Sequence, residues 1–160
     1  MTVAKTDTQI ISTLKELREY TQWLSALMPN KTALLLKGPL GVGKTKTVEF
    51  LLSEMGCDLV VSPTFALHKT YELSDFVVHH FDLYRIESEA DLESTGFWDV
   101  FLNEKGWIIV EWAERLKKEH LPLSWSVFEL DIRLIKDPHN ESQGVAREFF
   151  LTMPLDDQKK

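Results

Sequence analysis

The sequence predicts one three-layer α/β domain over residues 1–160, with a mixed, mainly parallel central sheet and antiparallel edge hairpins. Two continuous apolar runs, at 33–36 and 107–110, have the character of strands covered on both faces. The first is followed by a glycine-rich turn and an amphipathic segment, the order strand, loop, helix. Two further pairs of β-rich segments are joined by turn residues and read as hairpins.

Apolar residues at Ile10, Ile11, Leu14, Leu17, Leu24 and Leu27 recur near helical spacing, which predicts an N-terminal helix over about 8–28, stopped by Met28-Pro29-Asn30. The core is then expected over about 32–152, with a tail at 153–160. After the 33–36 strand, Val48, Leu51, Leu52 and Met55 share one helical stripe that Gly56 is placed to close. Residues 58–61 read as a short strand, broken by Ser62-Pro63-Thr64. Segments 68–73 and 76–83 form a predicted hairpin about Ser74-Asp75. The stretch 87–103 reads as helical in part, and Gly106 opens the 107–110 strand with Glu111 at its end. A short helix is expected over 114–119, then two late strands near 127–135 and 145–151 joined by a turn-rich link.

The chain has 160 residues, 44% hydrophobic and 27% charged, which suits a soluble globular domain. No signal peptide and no apolar run of the roughly 20 residues that cross a membrane stand out, so a cytoplasmic protein with no membrane partner is expected. Cys57 is the single cysteine, excluding an internal disulfide and a cysteine zinc site. The formal charge of −7 argues against a chain that holds DNA or RNA by itself; an RNA substrate would be held by something else.

The chemistry centres on Gly38-Pro39-Leu40-Gly41-Val42-Gly43-Lys44-Thr45, a full G-x-x-x-x-G-K-[ST] match placed between strand and helix. A polyphosphate must be wrapped by backbone N–H groups, and Gly41 and Gly43 leave room for that approach. The helix N-terminus adds partial positive charge, Lys44 reaches the β and γ phosphates, and the Thr45 hydroxyl suits magnesium. Gly38, Leu40, Gly41, Val42, Gly43, Lys44, Thr45 and Lys46 are thus the predicted nucleotide contacts of a P-loop NTPase. Thr47 reads first as a packing residue.

Hydrolysis also needs an acid near the metal and a group to orient water. Asp82 ends one predicted strand, and Glu111 ends the buried 107–110 run, where α/β enzymes place their sites. Glu111 is open to two roles, magnesium ligand through water and general base. Lys44, Asp82 and Glu111 form the predicted catalytic set, and Thr45, Asp82 and Glu111 the predicted metal set. Ser62, Pro63 and Thr64 are placed to sense the γ phosphate. His79 and His80 point to opposite faces of a strand, which argues against a shared metal. His80 shares a face with Asp82 and reads first as a hydrogen-bonded core histidine. Trp112 either stacks on a partner or lid or packs internally.

Taken together, the loop, Ser62-Pro63-Thr64-Phe65 with Tyr71, His80-Phe81-Asp82-Leu83-Tyr84-Arg85, Gly96-Phe97-Trp98-Asp99 and Val110-Glu111-Trp112 resemble the TsaE (YjeE) family in order and spacing. The resemblance covers roughly 34–114. It implies an ATPase that works with TsaB and TsaD, which install a threonylcarbamoyl group on adenosine 37 of tRNAs reading codons that begin with A. TsaE itself does not transfer the group. By motif, Lys44 and Thr45 carry over as phosphate and magnesium contacts, Glu111 as the magnesium-linked acid and Asp82 as the second acid. Ser62, Thr64, His80, Tyr84, Arg85 and Trp112 fall among the switch or partner-facing positions. Pro39 and Lys46 depart from the family pattern, bearing on loop stiffness and turnover rather than on binding. An adenine contact is looked for near 8–11.

Other classes fit less well. A GTPase would carry D-x-x-G after the loop and N-K-x-D for guanine, and Asn30-Lys31-Thr32-Ala33 lacks the aspartate. A small-molecule kinase needs clustered arginines for its second substrate, and the five here are scattered along the chain. A nucleotide-gated binding module without catalysis remains the third reading.

Overall fold

The computed structural model describes residues 4–61, 63, 65–74, 76–103, 105–139 and 144–155. The chain runs from strand β1 (Lys5–Ile11) into helix α1 (Leu14–Leu27) and strand β2 (Lys31–Lys37). Helix α2 (Lys44–Ser53) follows, then the hairpin β3 (His68–Glu72) and β4 (Val77–Asp82). A short helix α3 (Glu89–Ser94) and a 3₁₀ turn (Asp99–Leu102) lead to β5 (Gly106–Glu111). Two more 3₁₀ turns precede the closing hairpin β6 (Ser126–Lys136) and β7 (Val145–Met153).

The strands form one sheet in the order β1-β7-β6-β2-β5-β4-β3. The four central strands β6, β2, β5 and β4 are parallel, while β3, β7 and β1 pair antiparallel at the two edges. Alternation along β2 explains why its sequence is continuously apolar: Leu34 and Leu36 face the side of α1 and α2, and Ala33 and Leu35 the side of α3. Both faces are covered, giving the three layers.

Several expected boundaries move. The helix expected over about 8–28 divides, because residues 8–11 belong to β1, which pairs with β7 from Lys5↔Met153 to Ile11↔Arg147. The helix starts where its capping box sets it: Glu16 N–H donates to Thr13 Oγ1 (3.1 Å), and Thr13 N–H donates back to Glu16 Oε2 (2.9 Å). Residues 58–61 join no ladder among the described residues; Leu59 is 84% exposed, whereas a parallel strand in this sheet would be covered. The helix expected over 114–119 is replaced by 3₁₀ turns Ala113–Arg115 and Lys118–His120, a segment too short to sustain an α nucleus. Helicity over 87–103 is confined to α3, capped by Ser88, and to the following 3₁₀ turn.

Candidate functional site

The parallel register brings the C-terminal ends of β2, β5 and β4 side by side, with Leu36 opposite Glu111 and Glu111 opposite Asp82. Ligands in open α/β sheets collect at such ends. The loop leaving β2 turns through Gly38 (φ 141°), Gly41 (φ 74°) and Gly43 (φ 116°) and enters α2 at Lys44. A methyl group on Gly41 would meet nothing within 4 Å, so this glycine serves the turn and the open approach to the backbone.

A cavity of about 270 Å³ opens above the loop, lined among others by Gly41, Lys44, Thr45, Asp82, Glu111 and Trp112. The Thr45 hydroxyl donates to Glu111 Oε2 at 2.9 Å. Glu111 is 2% exposed and Asp82 3%, both buried where their strands end. Asp82 Oδ1 accepts the backbone N–H of Tyr84 (2.9 Å), and Asp82 N–H is tied to the Leu67 carbonyl (3.0 Å). The predicted catalytic and metal sets therefore converge on one cavity. A larger cavity of about 590 Å³ lies by Glu72, Phe76 and His79 and holds no comparable set of groups, so chemistry is assigned to the smaller one.

Lys44 is buried, and its ammonium donates to the carbonyls of Gly38 (2.6 Å) and Pro39 (3.0 Å) while sitting 3.9 Å from the centre of the Trp112 ring. Burial lowers its pKa, against the opposing charges of Glu114, Glu111 and Asp82. Trp112 follows Glu111 in a left-handed conformation (φ 58°) that folds its ring back over the lysine and beside Tyr84.

Three of the remaining predicted contacts divide by atom. The Val42 side chain is fully buried, leaving only its backbone for the loop, and its carbonyl accepts Arg147 Nε at 2.6 Å. Leu40 is exposed on the cavity rim, and Lys46 pairs with Glu49 at 2.7 Å. Thr47 packs, donating to the Gly43 carbonyl within its own helix.

Among the switch or partner-facing positions, His80 is wholly buried on β4 beside Glu111, in keeping with its first reading as a hydrogen-bonded core histidine. Tyr84 is 42% exposed, and the Arg85 guanidinium lies 4.9 Å over the ring of exposed Phe65. Ser62 and Thr64 lie outside the described residues.

A second cavity, about 370 Å³, adjoins the first and shares Gly41, Gly43 and Lys46 with it. Ile11, Ser12, Thr13, Arg147 and Phe149 contribute to its wall, so of the segment 8–11 only Ile11 reaches it. Arg147 and Phe149 carry no motif. They arrive here only because β7 pairs with β1, a long-range fact that spacing in the sequence does not express.

The loop suits a nucleoside triphosphate. Its glycines leave the backbone open, and Thr45 and Glu111 offer the oxygen donors that a hard divalent cation takes. Among the described residues no group of three or more His, Cys, Asp or Glu is arranged to hold a metal.

Comparison with known proteins follows the same line. Residues 11–144 match the family described as TsaE, threonylcarbamoyl adenosine biosynthesis protein. A relative from Rickettsia felis, named tRNA threonylcarbamoyladenosine biosynthesis protein TsaE, is 28% identical over 152 residues, 91% of this chain and 88% of its own. One of the same name from Synechocystis sp. is 36% identical over 109 residues, 64% of this chain and 69% of its own. The crystal structure of Bacillus subtilus YdiB shares the fold, with a TM-score of 0.70 at 21% identity over 96% of this chain and 89% of that one. With a nucleotide-binding P-loop at the centre of its sheet, the chain belongs to the TsaE family of threonylcarbamoyladenosine biosynthesis proteins.

Proposed function

We propose that the chain binds ATP with magnesium and hydrolyses it, and that this turnover serves threonylcarbamoyladenosine formation on adenosine 37 of tRNA in the cytoplasm, alongside TsaB- and TsaD-like partners that hold the tRNA. The observation that carries the reading is the 2.9 Å contact between Thr45 and Glu111 at the mouth of the phosphate loop.

In this mechanism Lys44 leaves the Gly38 and Pro39 carbonyls for the β and γ phosphates, exchanging neutral acceptors for anionic ones. Thr45, Glu111 and Asp82 would hold magnesium, directly or through water, and the ion would neutralise charge on the transferring phosphoryl group. Glu111 orients a water molecule and is also placed to accept its proton. The water oxygen bonds to the γ phosphorus as the bond to the bridging oxygen breaks, releasing ADP and inorganic phosphate. The adjoining cavity, which has Ile11 and Phe149 in its wall and shares Gly41 and Gly43 with the phosphate site, would take the adenine.

Among the described residues no arginine lines the phosphate cavity. Arg147 is bonded to Val42, Arg115 to the Ile86 carbonyl, Arg18 to Glu54, and Arg85 lies on Phe65. This weighs against a kinase that clamps a second phosphorylated substrate, and it supports slow turnover until a partner docks.

The test is Glu111→Ala, assayed for ATP affinity and for phosphate release with and without a TsaB–TsaD pair. Magnesium-free ATP affinity stays within a few-fold of wild type while release with magnesium falls by about 10²–10⁴-fold, the usual worth of general-base help. Wild-type release rises on adding the pair. Unchanged release in the variant removes Glu111 from catalysis, and no rise on mixing turns the reading towards another pathway.

A further inference from the structure

His80 occupies a position that neither phosphate binding nor metal binding requires. It is fully buried on β4, its Nε2 lies 2.8 Å from Glu111 Oε1, and its Nδ1 is buried with no hydrogen-bond partner among the described residues. The other oxygen of the same carboxylate, Oε2, accepts from Thr45. Three side chains from three elements, α2, β5 and β4, thus form one chain of contacts: Thr45, Glu111, His80.

From this geometry we infer that His80 is a positioning residue for Glu111: its Nε2–H holds one carboxylate oxygen so that the other is presented to Thr45 and the phosphate cavity. The activity arm of this inference rests on the proposed ATPase reading.

A glutamate side chain has several soft torsions, and its terminal one is broad, so burial alone does not fix which oxygen points where. Two donors, one on each oxygen, do fix it. Thr45 alone is a weak anchor, because its hydroxyl rotates freely and is also the group assigned to the cation. An imidazole on a central strand is a rigid one. Its Nε2 faces an acceptor-only carboxylate, so that nitrogen carries the hydrogen, and Nδ1 is left as a bare lone pair. A hydrogen on Nδ1 instead would place a donor in the core with nothing to receive it and two lone pairs face to face at Glu111. The orphaned Nδ1 therefore selects the tautomer that Glu111 needs.

The strand register makes the arrangement specific. Asp82 lies opposite Glu111, and His80 lies opposite Ile109, one repeat deeper on the same face. His80 can reach Glu111 only from below, from the side away from the cavity. It touches the acid without entering the space where phosphate and water would sit. Partners of this kind typically change metal affinity or activity by about 10–100-fold when removed.

Three variants separate positioning from mere core filling. His80→Phe keeps an aromatic ring and loses the donor. His80→Gln keeps a donor near the place of Nε2. Glu111→Ala combined with His80→Phe asks whether the two act through one another. Nucleotide affinity measured with and without magnesium is the first readout. In His80→Phe the gain in affinity from magnesium falls by about 10–100-fold while magnesium-free binding is unchanged, and His80→Gln recovers most of the gain. Phosphate release follows the same order, and adding His80→Phe to Glu111→Ala costs nothing further. The second readout needs no variant: the long-range ¹H–¹⁵N spectrum of the wild-type imidazole shows the hydrogen on Nε2 of His80.

Hydrogen on Nδ1 overturns the inference, even if His80→Phe fails to fold. So does a folded His80→Phe with wild-type magnesium dependence, or a folded His80→Gln as impaired as His80→Phe. Wild-type protein that releases no phosphate with its partners defeats the ATPase reading instead, and leaves the tautomer and magnesium-dependence results to be judged separately.

Discussion

Gly38 and Gly41 look alike in the motif, yet they act differently. An added methyl on Gly38 would collide with the Ile132 carbonyl on β6, whereas on Gly41 it would meet open space. Both have positive φ, so both substitutions carry backbone strain. Gly38→Ala is expected to cost about 2–4 kcal/mol in urea unfolding, and Gly41→Ala about 1 kcal/mol. Gly41→Ala acts chiefly on nucleotide affinity, because the methyl points where phosphate would approach. The sequence made the loop legible residue by residue, since eight consecutive positions contain all of the motif. It did not reveal the Ile132 contact, the fold-back of Trp112 onto Lys44, or the link from His80 to Glu111. Each depends on which strand lies next to which.

At the scale of elements, the first thirty residues show where local pattern is insufficient. Ile10 and Ile11 continue the apolar rhythm of α1 closely enough to be read as its first turn, although they belong to β1. The decisive local signal is Thr13 with Glu16, whose carboxyl accepts from the backbones of Ser12 and Thr13, and those bonds hold its pKa below the usual glutamate value. Thr13→Ala is expected to lower stability by about 1 kcal/mol in denaturant unfolding.

The β3–β4 hairpin carries a second testable device. His68 Nε2 and His79 Nδ1 share a hydrogen bond at 3.0 Å, and the His68 ring stacks on Phe81. Burial lowers both pKa values from 6.5, and for His68 the charges of His79 and His80 add to it. The unfolded chain therefore takes up protons first as pH falls through 6.5, so this contribution is complete above that value and is lost on acidification below it. The melting temperature should fall between about pH 7 and about pH 5.5, and fall less in a His68→Gln, His79→Gln double variant.

Over the whole molecule, the parallel centre was legible because its strands are apolar throughout, while the strand order was not. β1 reaches the sheet edge through β7 from the opposite end of the chain, and that pairing builds the wall of the second cavity from Ile11, Arg147 and Phe149. Net charge acts at this scale too. With a formal charge of −7 the isolated chain is expected to show no saturable tRNA binding near physiological salt, checked by filter retention; tight, salt-sensitive binding would contradict the assignment of tRNA to the partners.

The central claim joins the Thr45–Glu111 site to tRNA modification. Its most direct test is the threonylcarbamoyladenosine content of tRNA in cells depleted of this protein and supplied with either wild type or Glu111→Ala at equal abundance. The account predicts that wild type restores the modified nucleoside and that the variant, though it still binds ATP, does not. Full restoration by Glu111→Ala would contradict it.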